Sequence, residues 1–296
     1  MRLRLDPTLA ALLAMACSHP GPSLAPAARS VAGERLSFVE GTAGSLRVSD
    51  GGQGDPAVVF LHGLGSDLEV WRPQLDHLRA SRRVVAYDQR GHGASGKPRD
   101  GVYTLEALAA DLEAVRRALG LERFVLVGHS LSGAVVTTYL GAHPEVVVGA
   151  VYVDAAGDFH GVARERLQEV VDREASPSFG ASARRADFAE ALGPRARPAT
   201  RQTVLASLER MDPAAFAPLR RALFELRDAR ARFASHRGPA LAIEAAENPY
   251  ASTMAGAVLG LPRVEVRGVS HWLQLDDPDA VNRALDAFLA RLASTP

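Results

Sequence analysis

From Leu36 onward the chain alternates short apolar runs with stretches of helical period. LSFVE and SLRVSD predict a pair of strands forming a hairpin, and AVVFLHG (Ala57 to Gly63) is a continuous apolar run suited to a strand buried on both faces. LEVWRPQLDHLR places Leu68, Trp71, Leu75 and Leu78 at helical spacing. RVVAYD is the next strand, and TLEALAADLEAVRRALG a helix opened by Thr104 and closed by Gly120. RFVLVG, LSGAVVTTYLGAHP and VVVGAVYVD continue the series as strand, helix and strand. Strand and helix in turn predict the α/β class: a doubly wound, mostly parallel sheet with helices on both faces.

The alternation stops at Asp154. Residues 155–236 hold only helical patterns, such as ARERLQEVVDREA, with Leu167, Val170 and Val171 on one side, and FAPLRRALFELRDARARF, with Phe216, Leu219, Leu223 and Leu226. Four helices without a strand predict an inserted helical cap. The sheet resumes with PALAIEA and PRVEVRG, and PDAVNRALDAFLARL closes the chain as an amphipathic helix. The sheet-forming core is therefore expected in residues 34–154 and 237–296.

The first residues follow another pattern. Arg2 and Arg4 precede LAALLAMA (Leu9 to Ala16), a run too short to span a bilayer but long enough for the apolar core of an export signal. It ends at Cys17, and LLAMAC resembles a bacterial lipoprotein cleavage box. Residues 1–17 are expected to be a signal peptide with Cys17 as a lipid anchor. Residues 18–33, rich in proline and small side chains, are the expected tether. The protein is then exported, as a periplasmic or membrane-anchored lipoprotein, with plain secretion as the alternative. Cys17 is the single cysteine, so no internal disulfide forms and stability rests on core burial. The 296 residues are 47% hydrophobic, enough for a full core, and 34 basic residues balance 34 acidic ones without clustering, which provides no footprint for nucleic acid.

Within this framework FVLVGHSLSGAVV (Phe124 to Val136) carries the strongest chemical signal. It lifts Ser130 at the carboxyl end of a buried strand, where reactive groups gather in parallel sheets. Gly128 lets strand and helix approach closely, as a Gly-x-Ser-x-Gly elbow requires, but Ser132 stands at the last motif position and the glycine follows at Gly133. A serine there can also serve simply as a helix cap. As a nucleophile it needs a base, and nine histidines are available. No clustered His, Cys, Asp or Glu spacing suits zinc, and the glycines lack dinucleotide or phosphate-loop signatures, so no metal or organic cofactor is expected.

FLHGLGSD, YDQRGHGAS, VGHSLSG and GVSHWLQLDDPDAVNRAL follow one another in an order and at spacings that resemble the α/β-hydrolase fold family, its serine hydrolase or esterase type with a helical cap, over Glu34 to Leu292. The resemblance implies Ser130 as nucleophile, His271 as general base, and the backbone N–H groups of Leu64 and Leu131 as oxyanion hole. It gives His62 and His92 loop-ordering roles, has Asp88 and Arg90 tie the adjacent loop, and leaves His129 packing away from the site. The family's usual position for the acid falls on Asn248, an amide that carries no charge to stabilise an imidazolium. Asp154, at the end of the strand before the cap, is the favoured replacement; Glu247 could reach if its loop shifts, and Glu244 suits the end of its strand. The activity implied is cleavage of a small or medium carboxylic ester, the small-molecule partner, through an acyl-enzyme. Lactone, amide or carbon–carbon bond hydrolysis, cofactor-free oxygenation and a non-catalytic binding lipoprotein are the alternatives.

Overall fold

A computed structural model describes residues 33–247 and 252–293. The expected signal peptide, Cys17, nearly all of the tether and Asn248 lie outside the described residues. Eight strands form one sheet in the order β1-β2-β4-β3-β5-β6-β7-β8. The hairpin of β1 (Arg35–Glu40) and β2 (Ser45–Gly51) is antiparallel and β2 joins β4 (Val84–Tyr87) antiparallel. The pairs among β3 (Ala57–Leu61), β4, β5 (Phe124–His129), β6 (Val147–Val153), β7 (Ala240–Ala245) and β8 (Arg263–Val266) are parallel.

The apolar runs form the centre of this sheet because neither face meets water: β3, β4 and β5 are buried at every residue. Two groups of helices flank it. Helix α1 (Arg72–Leu78) packs with α10 (Leu273–Asp276) and α11 (Pro278–Ala293), while α2 (Leu105–Ala118) packs on α3 (Leu131–Ala142). The stretch predicted as one helix from Leu68 begins as a 3-10 turn, Leu68–Trp71, because Asp67 caps it and Pro73 lacks the N–H an α-helix would use further in.

Between β6 and β7 the chain is helical, with α4 (Arg164–Ala175), α5 (Ala181–Leu192), α6 (Pro198–Glu209), α7 (Phe216–Glu225) and α8 (Ala229–Phe233). That is five helices where the periodicity predicts four. FAPLRRALFELRDARARF breaks after α7, where Leu226 is extended and its carbonyl accepts the Phe159 N–H at 3.0 Å. The Asp158 carboxylate accepts the Ala229 N–H at 2.9 Å, so a loop some 70 residues earlier in the chain divides one apolar stripe into two helices. The short helices α9 (Met254–Ala257) and α10 are further additions to the predicted elements.

Candidate active site

At the end of β5 the backbone turns sharply into α3, and Ser130 carries the turn with φ 54° and ψ −120°. Among the described residues only Ser130 and Asp154 (φ 41°) are non-glycine with positive φ. Such conformations cost on the order of 1–3 kcal/mol each and persist only where surroundings enforce them. Here the Ser130 N–H donates to Val153 O (3.2 Å), and its carbonyl accepts from Gly133 (2.9 Å) and Ala156 (3.1 Å). The glycines have steric causes. A Cβ at Gly128 would lie 2.7 Å from Ser132 O, one at Gly63 would lie 2.8 Å from Ser130 Cβ, and one at Gly133 would lie 2.5 Å from Ala155 Cβ.

Ser132 is fully buried, and its hydroxyl donates to His62 O at 2.5 Å. The Gln89 side-chain amide donates to the same carbonyl (2.7 Å) and to Ser132 Oγ (3.0 Å). The hydroxymethyl that replaces the motif's glycine thus clasps the elbow to the His62–Leu64 segment. His62 Nε2 accepts the Gln89 N–H (2.9 Å), which leaves the proton on Nδ1, 2.8 Å from Gly63 O. Burial holds the His62 pKa below its usual range, consistent with a neutral ring.

Asp154 directly follows β6, with its backbone N–H on Ile243 O (2.7 Å) and its side chain fully buried. One carboxylate oxygen accepts the Ala245 N–H (3.0 Å), and the other lies 2.7 Å from His271 Nδ1. A carboxylate only accepts, so Nδ1 carries the proton, and in the neutral ring this tautomer keeps the lone pair on Nε2. Glu247 is exposed, and its carboxylate accepts the Gly268 N–H at 3.3 Å. Glu244 lies inside β7 rather than at its end, buried, with its pKa raised by burial.

The His271 loop is pinned from several sides. The Ser270 N–H and hydroxyl both donate to Asp276 (2.8 and 2.5 Å), and Trp272 Nε1 donates to Ser66 Oγ (3.2 Å). His129 does more than pack. Burial first, then the neighbouring His271, hold its pKa well below the usual range, so its ring is neutral. Its Nε2–H donates to the His271 carbonyl at 2.9 Å, with ring centroids 4.6 Å apart.

A family model described as the alpha/beta hydrolase fold matches residues 56–278, three quarters of the chain and every residue named in this site. The chain belongs to the alpha/beta hydrolase fold family. Human Protein ABHD8 is 37% identical over 109 residues, 36% of this chain and 25% of that protein. Epoxide hydrolase 3 of Xenopus tropicalis is 37% identical over 109 residues, 36% of this chain and 30% of that protein. The chain therefore spans about a quarter to a third of the length of these relatives. Among solved structures, a thermophilic esterase from Thermogutta terrifontis superposes with a TM-score of 0.76 at 22% identity, covering 87% of this chain and 99% of that one. A hydrolase from Pseudomonas aeruginosa PA01 gives 0.75 at 26%, covering 86% and 98%.

In this alpha/beta hydrolase, Ser130, His271 and Leu64 line one cavity of about 540 Å³, to which the helices between β6 and β7 contribute Phe188, Phe216 and Phe224. Leu131 opens α3, where the first N–H groups have no partner within the helix and lie at its positive end. A larger depression of about 950 Å³ lies among Arg82, Arg123 and Arg237 at the amino ends of the strands, away from this chemistry. Among the described residues no three His, Cys, Asp or Glu side chains gather as metal ligands. Sequence reasoning missed His129, Gln89 and the charged residues that α4 and α7 bring to the cavity wall.

Proposed function

We propose that the protein is a serine hydrolase that cleaves a small or medium carboxylic ester through an acyl-enzyme. The observation that carries this reading is the 2.7 Å contact of a fully buried Asp154 carboxylate with Nδ1 of His271, a ring that lines the same cavity as the strained Ser130. Ser130 Oγ attacks the acyl carbon as His271 Nε2 takes its proton, and Asp154 stabilises the imidazolium that forms. The Leu131 and Leu64 amides hold the oxyanion, where one such donor typically contributes about 2.7–4 kcal/mol to lowering the barrier. The oxyanion collapses, the alcohol leaves with the proton from His271, and a water activated by the same nitrogen releases the acid and restores Ser130.

Epoxide opening fits this nucleophile less well. Attack by Ser130 on an epoxide carbon would leave an ether on the enzyme, which water does not cleave in a second step, whereas an acyl ester is open to hydrolysis. In this reading residues 155–236 act as a cap over the site, and Cys17 carries a lipid on an exported chain. The export part is tested separately, by whether metabolic labelling with a fatty acid is lost in Cys17→Ala. The activity is tested by a p-nitrophenyl ester chain-length series: turnover that requires Ser130 and falls on long chains supports the reading, and no Ser130-dependent turnover on any ester overturns it.

A further inference from the structure

Beyond its apolar lining, the cavity wall contains one charged group in an unusual setting. Glu174 of α4 is buried, with its side chain only 1% exposed, and both of its oxygens face Arg220 Nε of α7, at 3.1 and 3.2 Å. Among the described residues no hydrogen bond uses Arg220 Nη1 or Nη2. The guanidinium is flanked by the rings of Phe216 and Phe224, its carbon 5.8 and 5.9 Å from their centroids. A ladder of rings connects this point to the chemistry: Phe216 to Phe188 (6.0 Å), Phe188 to Trp272 (5.7 Å), Trp272 to His271 (5.1 Å). Arg220 and the general base His271 therefore stand on the wall of the same cavity.

We infer that Arg220 takes an uncharged oxygen acceptor on the acyl part of the substrate, so that the substrate class is an ester or lactone carrying a second carbonyl, such as an oxo or amide group, several bonds from the scissile one. The inference rests on the hydrolase reading of the same cavity and narrows it. The Arg220 side chain is 27% exposed, so its four remaining N–H donors meet water and can exchange it for an acceptor on a bound molecule. Charge decides which kind. The cavity wall carries two cations and three carboxylates: Glu174 faces Arg220 and, at 3.7 Å, Arg173, which also holds Asp187 in a bidentate pair, and the exposed Glu190 is the third. The wall is already one negative charge in excess, so a substrate carboxylate would meet repulsion. Burial, partly offset by Arg220, raises the Glu174 pKa, and a further anion beside it would be less welcome still. A neutral carbonyl gains the donors without that repulsion.

The test is a binding experiment that does not depend on turnover. Ser130→Ala protein is titrated at neutral pH with ethyl pentanoate, ethyl 4-oxopentanoate and monoethyl glutarate, read by tryptophan fluorescence, since Trp272 lines the cavity. The oxo ester is expected to bind roughly ten-fold more tightly than ethyl pentanoate, the scale of a hydrogen bond to a charged donor, with the anion weakest. Because Arg220→Met alone leaves the buried Glu174 carboxylate with only Arg173, 3.7 Å away, the comparison uses Arg220→Met with Glu174→Gln, where the ratio should fall to about one while ethyl pentanoate binds as before. Arg220→Lys, which keeps the charge and loses the planar fork, should narrow the ratio and gives a second, independently folded check. Equal binding of oxo and plain ester, tightest binding of the anion, or a ratio unchanged in both variants overturns the inference. Ser130-dependent hydrolysis across the p-nitrophenyl ester series by the wild type tests the hydrolase reading separately: its absence on every ester sinks that reading while the binding ratio still decides this one.

Discussion

Replacing Asp154 by asparagine changes one atom at the point where the triad geometry is anchored. The exchange suits the backbone, because asparagine is among the few residues that tolerate the positive φ of 41°. Orientation of the new amide is dictated by the Ala245 N–H, 3.0 Å from one carboxylate oxygen: the amide oxygen must stay there to accept, so the amide NH2 faces His271 Nδ1. Two donors cannot share that contact, and the ring must present its Nδ1 lone pair, which moves the proton to Nε2. The nitrogen required to deprotonate Ser130 is then blocked, and no negative charge remains to stabilise an imidazolium. In a Ser-His-Asp triad this exchange lowers turnover about 10⁴-fold, equivalent to about 5.5 kcal/mol of barrier. The assay is p-nitrophenyl butyrate hydrolysis beside a thermal melt: Asp154→Asn should lose about four decades in kcat with a melting temperature close to wild type, and Glu247→Gln should lose nothing. Retention of activity within ten-fold in the asparagine variant, or a large loss in the glutamine variant, would refute the assignment of the acid.

Ser132→Gly removes the clasp while leaving Gln89 on the His62 carbonyl. It should lower kcat about ten-fold with little change in KM, since one buried hydrogen bond positioning the oxyanion segment is lost; an unchanged kcat would show that the hydroxyl only fills space. Glu113 is held at a pKa of about 2, first by the Arg116 guanidinium and then by Tyr139 and Arg117, against an ordinary value of 4.5. Its stabilisation is full above pH 4.5 and lost as pH falls toward 2, so thermal melts should decline across that window and Glu113→Gln should decline less.

Much of the sheet was legible because strands buried on both faces need unbroken apolar runs, and AVVFL and FVLVGH have no other use for them. Ser130 and His271 stood out because their chemistry sits in local motifs. Asp154 emerged as the candidate acid only because Asn248 occupied the usual place. What escaped notice depends on contacts across long sequence separations. His129 bonds a backbone carbonyl 142 residues away, and nothing beside it in the sequence distinguishes a packing ring from an anchoring one. Ser132 shows in the sequence only as a departure from the glycine motif, because its acceptor belongs to another strand end. Glu174 and Arg220 look like solvated positions on amphipathic helices until α4 and α7 bring them together. Division of the α7–α8 stripe depends on Asp158, which no helical period can anticipate.

Covalent capture tests the central claim most directly. Wild-type protein treated with a fluorophosphonate, followed by intact mass and peptide mapping, should take up one equivalent on Ser130; Ser130→Ala should take up none, and His271→Ala should react orders of magnitude more slowly. A folded wild-type protein that stays unmodified, or that carries the label on any other residue, would contradict the account.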